Sequence, residues 1–144
     1  MIKYGPPETV YVENEWYDGP RAGIADVNGM PHRFKSVFDE GDDEFHGTFM
    51  VWPVDRELVD LEVEQWRIFV DWNTLYESGR ADKDSHPGLG GSTARWDEIE
   101  CLLKQSRSDM PSSAKRVRAE VSRIDRDVRY APSGPDYMLS WSFL

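Results

Sequence analysis

The chain has a single cysteine, Cys101, in 144 residues, which excludes an internal disulfide and a cysteine-based zinc centre and fits a reducing cytoplasm. Within an expected helix, Cys101 reads as a small half-buried hydrophobe. Histidine is nearly as scarce. His32, His46 and His86 would all be needed for a three-histidine metal site, and two strand positions and a loop give no ligand spacing, so no metal is expected. Long apolar runs are missing too. The longest, Phe49-Met50-Val51-Trp52, has four residues, against the ~20 of a membrane helix and the ~7–15 of a signal-peptide core. A cytoplasmic protein without membrane contact is therefore expected. No Gly-x-Ser-x-Gly elbow, phosphate loop with its lysine, or His-Glu-x-x-His motif occurs, so neither a catalytic set nor a cofactor is indicated.

Positive charge is in deficit. The chain carries 17 Lys and Arg against 27 Asp and Glu, net −10, which disfavours a nucleic-acid partner because neutralising phosphates needs clustered cations. The imbalance is uneven: residues 1–78 hold 6 basic and 17 acidic side chains, and residues 79–144 hold 11 and 10. Two consequences are open. The basic second part can pack against the acidic first part and cancel it, which is the commoner outcome, or an acidic face can steer a basic protein partner.

What the chain does have is aromatic surface to bury: six Trp, six Tyr and six Phe. At this length one domain spanning 1–144, with its own core, is expected. Its first half reads as antiparallel strands. Thr9–Glu13 is β-rich and precedes a polar aromatic loop, Asn14–Pro20. Ala22–Val27 and Met30–Phe38 flank Asn28-Gly29, a pair suited to the positive φ of a type I′ hairpin turn. In the second of these strands Met30, His32, Phe34, Ser36 and Phe38 share a face opposite Arg33 and Lys35. The acidic turn Asp39–Glu44 leads into a strand Phe45–Trp52, ended by Pro53.

Asp55–Glu77 predicts a long helix capped by Asp55, with a solvated stripe at Asp60, Glu64, Arg67, Asp71 and Thr74. Most other positions are apolar, so the helix is expected to be covered nearly all round. A glycine-rich loop, Gly79–Ser92, leads to a second helix, Thr93–Gln105, in which Glu100 and Lys104 stand at i, i+4. Residues 115–124 fit strand or helix, and strand is preferred for their β-branched content. Pro132–Pro135 reads as hairpin-like. Tyr137, Leu139, Trp141 and Phe143 alternate in a last strand. The fold class is α+β: a curved, mostly antiparallel sheet of five or six strands packed on the long helix, with the shorter helix beside it.

Glu62 is the informative residue, a carboxylate in an apolar helix sector between Trp66 and Phe69. It must be paired, protonated or open to a cleft, and an arginine from residues 116–129 is its expected partner. The weak catalytic candidates are Glu62 and His32, with Trp66 and Asn73 lining the same expected pocket. Asp82, Asp84 and His86 could supply an acid–base pair, although solvated loop residues are commoner. Gly88–Thr93 resembles an anion loop before a helix but lacks its lysine.

Three functions remain. The first is a non-catalytic protein-binding module, in one version an acidic immunity or inhibitor-type partner of a basic protein, binding through Trp16, Tyr17, Asp42, Asp43 and Glu44. The second is a small enzyme or ligand-binding protein with its pocket between sheet and long helix around Glu62. The third is an assembly protein, a homodimer joined along an edge strand such as Tyr137–Phe143.

Overall fold

A computed structural model describes residues 2–37, 47–89 and 93–143. In chain order its strands and helices are β1 (Glu8–Trp16), β2 (Pro20–Val27), β3 (Met30–Ser36), β4 (Thr48–Pro53), α1 (Arg56–Glu77), α2 (Ala94–Ser108), β5 (Lys115–Arg123), β6 (Tyr130–Ala131), β7 (Gly134–Pro135) and β8 (Tyr137–Phe143). Six strands close into an antiparallel barrel in the order β1-β2-β3-β4-β5-β8, and β6 pairs with β7 as a separate hairpin. The α+β expectation holds, and residues 115–123 form the strand that their β-branched content favours.

Local chemistry explains the elements. Asn28 and Gly29 turn the β2–β3 hairpin at φ 54° and 79°, and the Glu8 carboxylate accepts from both their N–H groups at 2.9 and 2.6 Å. Asp55 caps α1 by accepting from Leu58 N–H at 2.9 Å, which satisfies one of the donors a helix start leaves orphaned. Gly134 lies at φ +128°, and a Cβ there would sit 2.2 Å from the Val10 carbonyl oxygen. Only glycine lets the β6–β7 hairpin press so closely on β1.

The lumen is filled with side chains. Val10, Ala25, Phe34, Phe49, Val117, Tyr137, Leu139 and Trp141 all belong to the buried cluster inside the ring. Phe34, Phe49 and Trp141 meet pairwise with ring centroids 5.7–6.1 Å apart, the tilted geometries aromatic quadrupoles prefer. A ring of six strands is narrower than the eight whose interior side chains just fill, so no helix can enter.

That fact corrects the expected wrapping of the long helix. α1 lies outside the barrel, its buried residues Val59, Glu62, Gln65, Trp66 and Val70 forming one stripe. Val59, Trp66 and Val70 pack with Val12 and Ile24, while Leu75 and Tyr76 are exposed near its end. A β-bulge makes this packing possible. The β1–β2 register shifts between Val10 and Val12, so Val10 points into the lumen and Val12 outward to the helix.

Other boundaries also moved. β1 runs through Asn14 to Trp16, so Trp16 ends a strand rather than sitting in a loop. On β3, Phe34 enters the lumen while Arg33, on the opposite face, is equally buried. Cys101 is exposed on α2 rather than half-buried. β8 pairs with β5 along its whole length and with β1 at Met138 and Leu139, so it lies within the ring rather than at the free edge expected of it. No helix among the described residues is long and apolar enough to cross a membrane.

Candidate binding cleft

β1 and α2 flank α1, and the gap between them is a cleft of about 360 Å³. α1 supplies its floor. Glu62, Gln65, Trp66 and Phe69 fall at i, i+3, i+4 and i+7, so one helix stripe presents them together. The far end of β1 contributes Glu13, Asn14 and Trp16. α2 contributes Trp96, Glu100 and Arg107, and His86 and Tyr130 complete the lining. Trp96, Glu100 and Arg107 share a face because i, i+4 and i+11 nearly superpose around a helix.

Glu62 is 1% exposed and its carboxylate is saturated. Arg33 Nη1 donates to Oε2 at 2.8 Å, Arg107 Nε to Oε2 at 3.1 Å, Arg107 Nη2 to Oε1 at 2.6 Å and Asn14 Nδ2 to Oε1 at 3.2 Å. The arginines come from β3 and the last turn of α2, not from residues 116–129. Burial alone would raise the Glu62 carboxyl, but the hydrogen bonds and charges of Arg107 and Arg33 outweigh it and hold the group below the usual glutamate range. Burial in turn lowers the Arg33 guanidinium. Arg33 Nη2 donates to Ser106 Oγ at 3.1 Å, while its buried Nε has no partner among the described residues. A carboxylate kept ionised and fully bonded has no lone pair left to take a proton, so Glu62 is a strut of this site rather than its general base.

Arg107 is equally committed. Besides Glu62, it donates from Nη1 to Glu100 Oε1 at 2.7 Å and from Nη2 to Gln65 Oε1 at 2.6 Å. Gln65 Nε2 donates to the same Glu100 oxygen at 2.9 Å. Glu100 therefore turns to α1 and Arg107 instead of to Lys104.

Most of the remaining lining is aromatic. Trp66, Phe69 and Tyr130 meet one another with centroids 5.0–5.7 Å apart. His86 continues the belt, 5.8 Å from Phe69, 4.6 Å from Trp72 and 6.3 Å from Trp96, and its Nδ1 accepts from Gly88 N–H at 2.8 Å. At the mouth, the guanidinium carbon of Arg129 lies 4.4 Å from the Trp16 ring centroid and 4.6 Å from that of Tyr130. Arg129 also pairs with Glu13 at 2.9 Å and Asp136 at 3.3 Å. Burial pushes the Tyr130 and Tyr137 hydroxyls up.

The pairs Arg107–Glu62, Arg95–Glu64 and Arg129–Glu13 all join the basic second part of the chain to its acidic first part. Pairing across the fold thus offsets part of the uneven charge.

Of the pocket expected around Glu62, the cleft collects Glu62 and Trp66. His32 lies at the opposite end of the barrel, in a hollow with Met30 and Phe143, its Nδ1 2.7 Å from the Met30 carbonyl oxygen. Asn73 lines a separate groove with Glu77 and Val128. Trp16 is 44% exposed at the cleft mouth and the adjacent Tyr17 is 78% exposed. Asp42, Asp43 and Glu44 lie outside the described residues, as do His46 and residues 90–92 of the glycine-rich loop. Asp82 and Asp84 are exposed and do not join His86 in the lining. Among the described residues no group of three or more His, Cys, Asp or Glu could hold a metal ion. Sequence reasoning missed Trp96, Glu100, Arg107 and Tyr130 as lining residues. The helical spacing of Trp96 and Glu100 was visible, whereas Arg107 lay beyond the expected helix end at Gln105 and joins them only because α2 runs on to Ser108; the cleft itself exists only where β1 and α2 meet α1. Comparison with protein-family models, curated proteins and solved structures finds no match to this chain.

Proposed function

We propose that the chain is a non-catalytic binding module of the cytoplasm that recognises a basic protein partner at this cleft. The observation that carries the reading is the cleft itself: about 360 Å³ lined by Trp16, Trp66, Phe69, His86, Trp96 and Tyr130 over an ion-paired floor. Large rigid aromatic side chains around a concave site are what interface anchors and pockets are built from. The saturation of Glu62 and the position of His32 outside the lining take away the acid–base pair that the sequence suggested, which favours binding over catalysis. The net charge of −10 favours a basic partner through long-range attraction.

A second reading, a small-molecule binder, is favoured by the cleft volume alone, which falls in the ~300–1,000 Å³ range of ligand pockets. Affinity capture from the native host with wild type, Trp16→Ala and Trp96→Ala as baits separates the two. A basic protein held stoichiometrically by wild type and lost by both variants is expected. Equal retention by all three baits would place recognition elsewhere, and absence of any protein partner would leave the small-molecule reading.

A further inference from the structure

From the donor and acceptor inventory of the cleft, we infer that it is a receptor for an organic cation, an alkylguanidinium or alkylammonium group seated against the indole rings and paired with Glu100. The inference rests on the proposed binding role of the cleft and names the chemistry it takes.

An anion finds little there to bind. Arg107 is the cationic side chain of the lining, and four of its five N–H groups donate to Glu62, Glu100 and Gln65. A carboxylate or phosphate would meet one remaining Nη1 N–H beside the Glu62 and Glu100 carboxylates and could not be gripped bidentately without breaking those bonds. On the acidic side, Glu62 is saturated and Glu13 already receives Arg129 and the Tyr137 hydroxyl. Glu100 differs. Both of its bonds fall on Oε1, and Oε2 has no partner among the described residues on a side chain that is 45% exposed. The open ionic valence of the cleft is therefore negative.

Its walls suit the same ligand. Indole faces attract cations best among the aromatic side chains, and aromatic enclosures are the usual receptors for alkylated ammonium groups. Two rings of this lining already hold one: the Arg129 guanidinium rests on Trp16 and Tyr130. Trp96 stands on the same α2 face as Glu100, so a cation paired with Glu100 comes within reach of an indole.

The test is a titration of the full chain with N-acetyl-argininamide, with its neutral citrulline counterpart, and with a short arginine- and lysine-rich peptide. Calorimetry and the indole N–H resonances of Trp16 and Trp96 report binding. The arginine probe is expected to bind about tenfold or more tightly than citrulline and to shift both resonances. Glu100→Gln, checked for an unchanged circular dichroism spectrum, is expected to abolish that preference, and Trp96→Ala to weaken the arginine probe independently. A peptide that binds more tightly than the free probe identifies a partner's side chain as the source, and equal affinity identifies a free cation; either supports the inference. Equal binding of arginine and citrulline overturns it while leaving the binding role intact. Arginine binding untouched by both substitutions also overturns it, because the cation then sits elsewhere on the acidic surface. Silence of both resonances with every probe overturns the inference, while the binding role stands or falls with the affinity capture.

Discussion

Arg33 and Glu62 meet at 2.8 Å with side chains 4% and 1% exposed, one in the middle of a barrel strand and the other on the helix that packs outside it. This pair and Arg107 tie β3, α1 and α2 at one point. Removing one partner of a buried ion pair leaves an uncompensated charge, which costs about 3–5 kcal/mol. Glu62→Gln is therefore expected to lower unfolding free energy by about that amount in urea titrations. A loss below about 1 kcal/mol would show the arginines to be compensated by other groups.

The same carboxylate sets a pH dependence. Its native pKa lies below the unfolded value of about 4.3, so its stabilising contribution is complete above that value. The contribution disappears as pH falls through the native pKa. Melting temperature of the wild type is expected to fall more steeply below about pH 4.5 than that of Glu62→Gln. Parallel acid limbs would contradict the ion-pair account.

Arg129 is held by Glu13, Asp136 and three aromatic rings, and Glu13 is only 6% exposed in its side chain. Arg129→Ala leaves that carboxylate with the Tyr137 hydroxyl as its remaining partner. The expected loss is about 1.5–3 kcal/mol, the range for hydrogen bonds to charged groups, with a shift in Trp16 emission as its ring loses the guanidinium. An unchanged emission spectrum would mean that the cation does not rest on that ring in solution.

Gly134→Ala puts a Cβ against the Val10 carbonyl and forces a positive φ on a residue with a side chain. The β6–β7 hairpin should lift from β1 and carry Tyr130 away from the cleft. Hydrogen exchange at Tyr130 and Ala131 is expected to quicken while exchange in β2 and β3 is unaffected. Uniform quickening across the barrel would mean that the hairpin is part of its cooperative core.

Cys101 is exposed on α2, so a thiol reagent should label it stoichiometrically in the native protein without changing the melting temperature. Labelling only in denaturant would show that surface to be covered.

Local patterning was legible in the sequence wherever one chemical rule dominated. The Asn28-Gly29 turn, the Asp55 cap, the alternation in Tyr137–Phe143 and the isolation of Glu62 in an apolar sector could all be read directly. What could not be read was closure. Whether a curved sheet wraps a helix or closes on itself depends on strand register, and the Val10–Val12 bulge that turns Val12 outward leaves no trace in hydrophobic alternation. The partners of Glu62 were hidden for a related reason. Arg33 alternates with lumen residues and so reads as a solvent-facing strand position until a helix covers that side. The cleft inherits both blind spots, since β1, α1 and α2 converge only once the ring has shut.

That ring shuts between β1 and β8, strands separated by nearly the whole chain. Until Tyr137–Phe143 arrives, β1 and β5 each present an unpaired edge and the lumen lacks Tyr137, Leu139 and Trp141. A nascent chain therefore cannot close its ring until β8 has been made. Long-range closure of this kind slows folding relative to helical proteins of equal size, and it makes truncation before β8 far more damaging than loss of either helix tip.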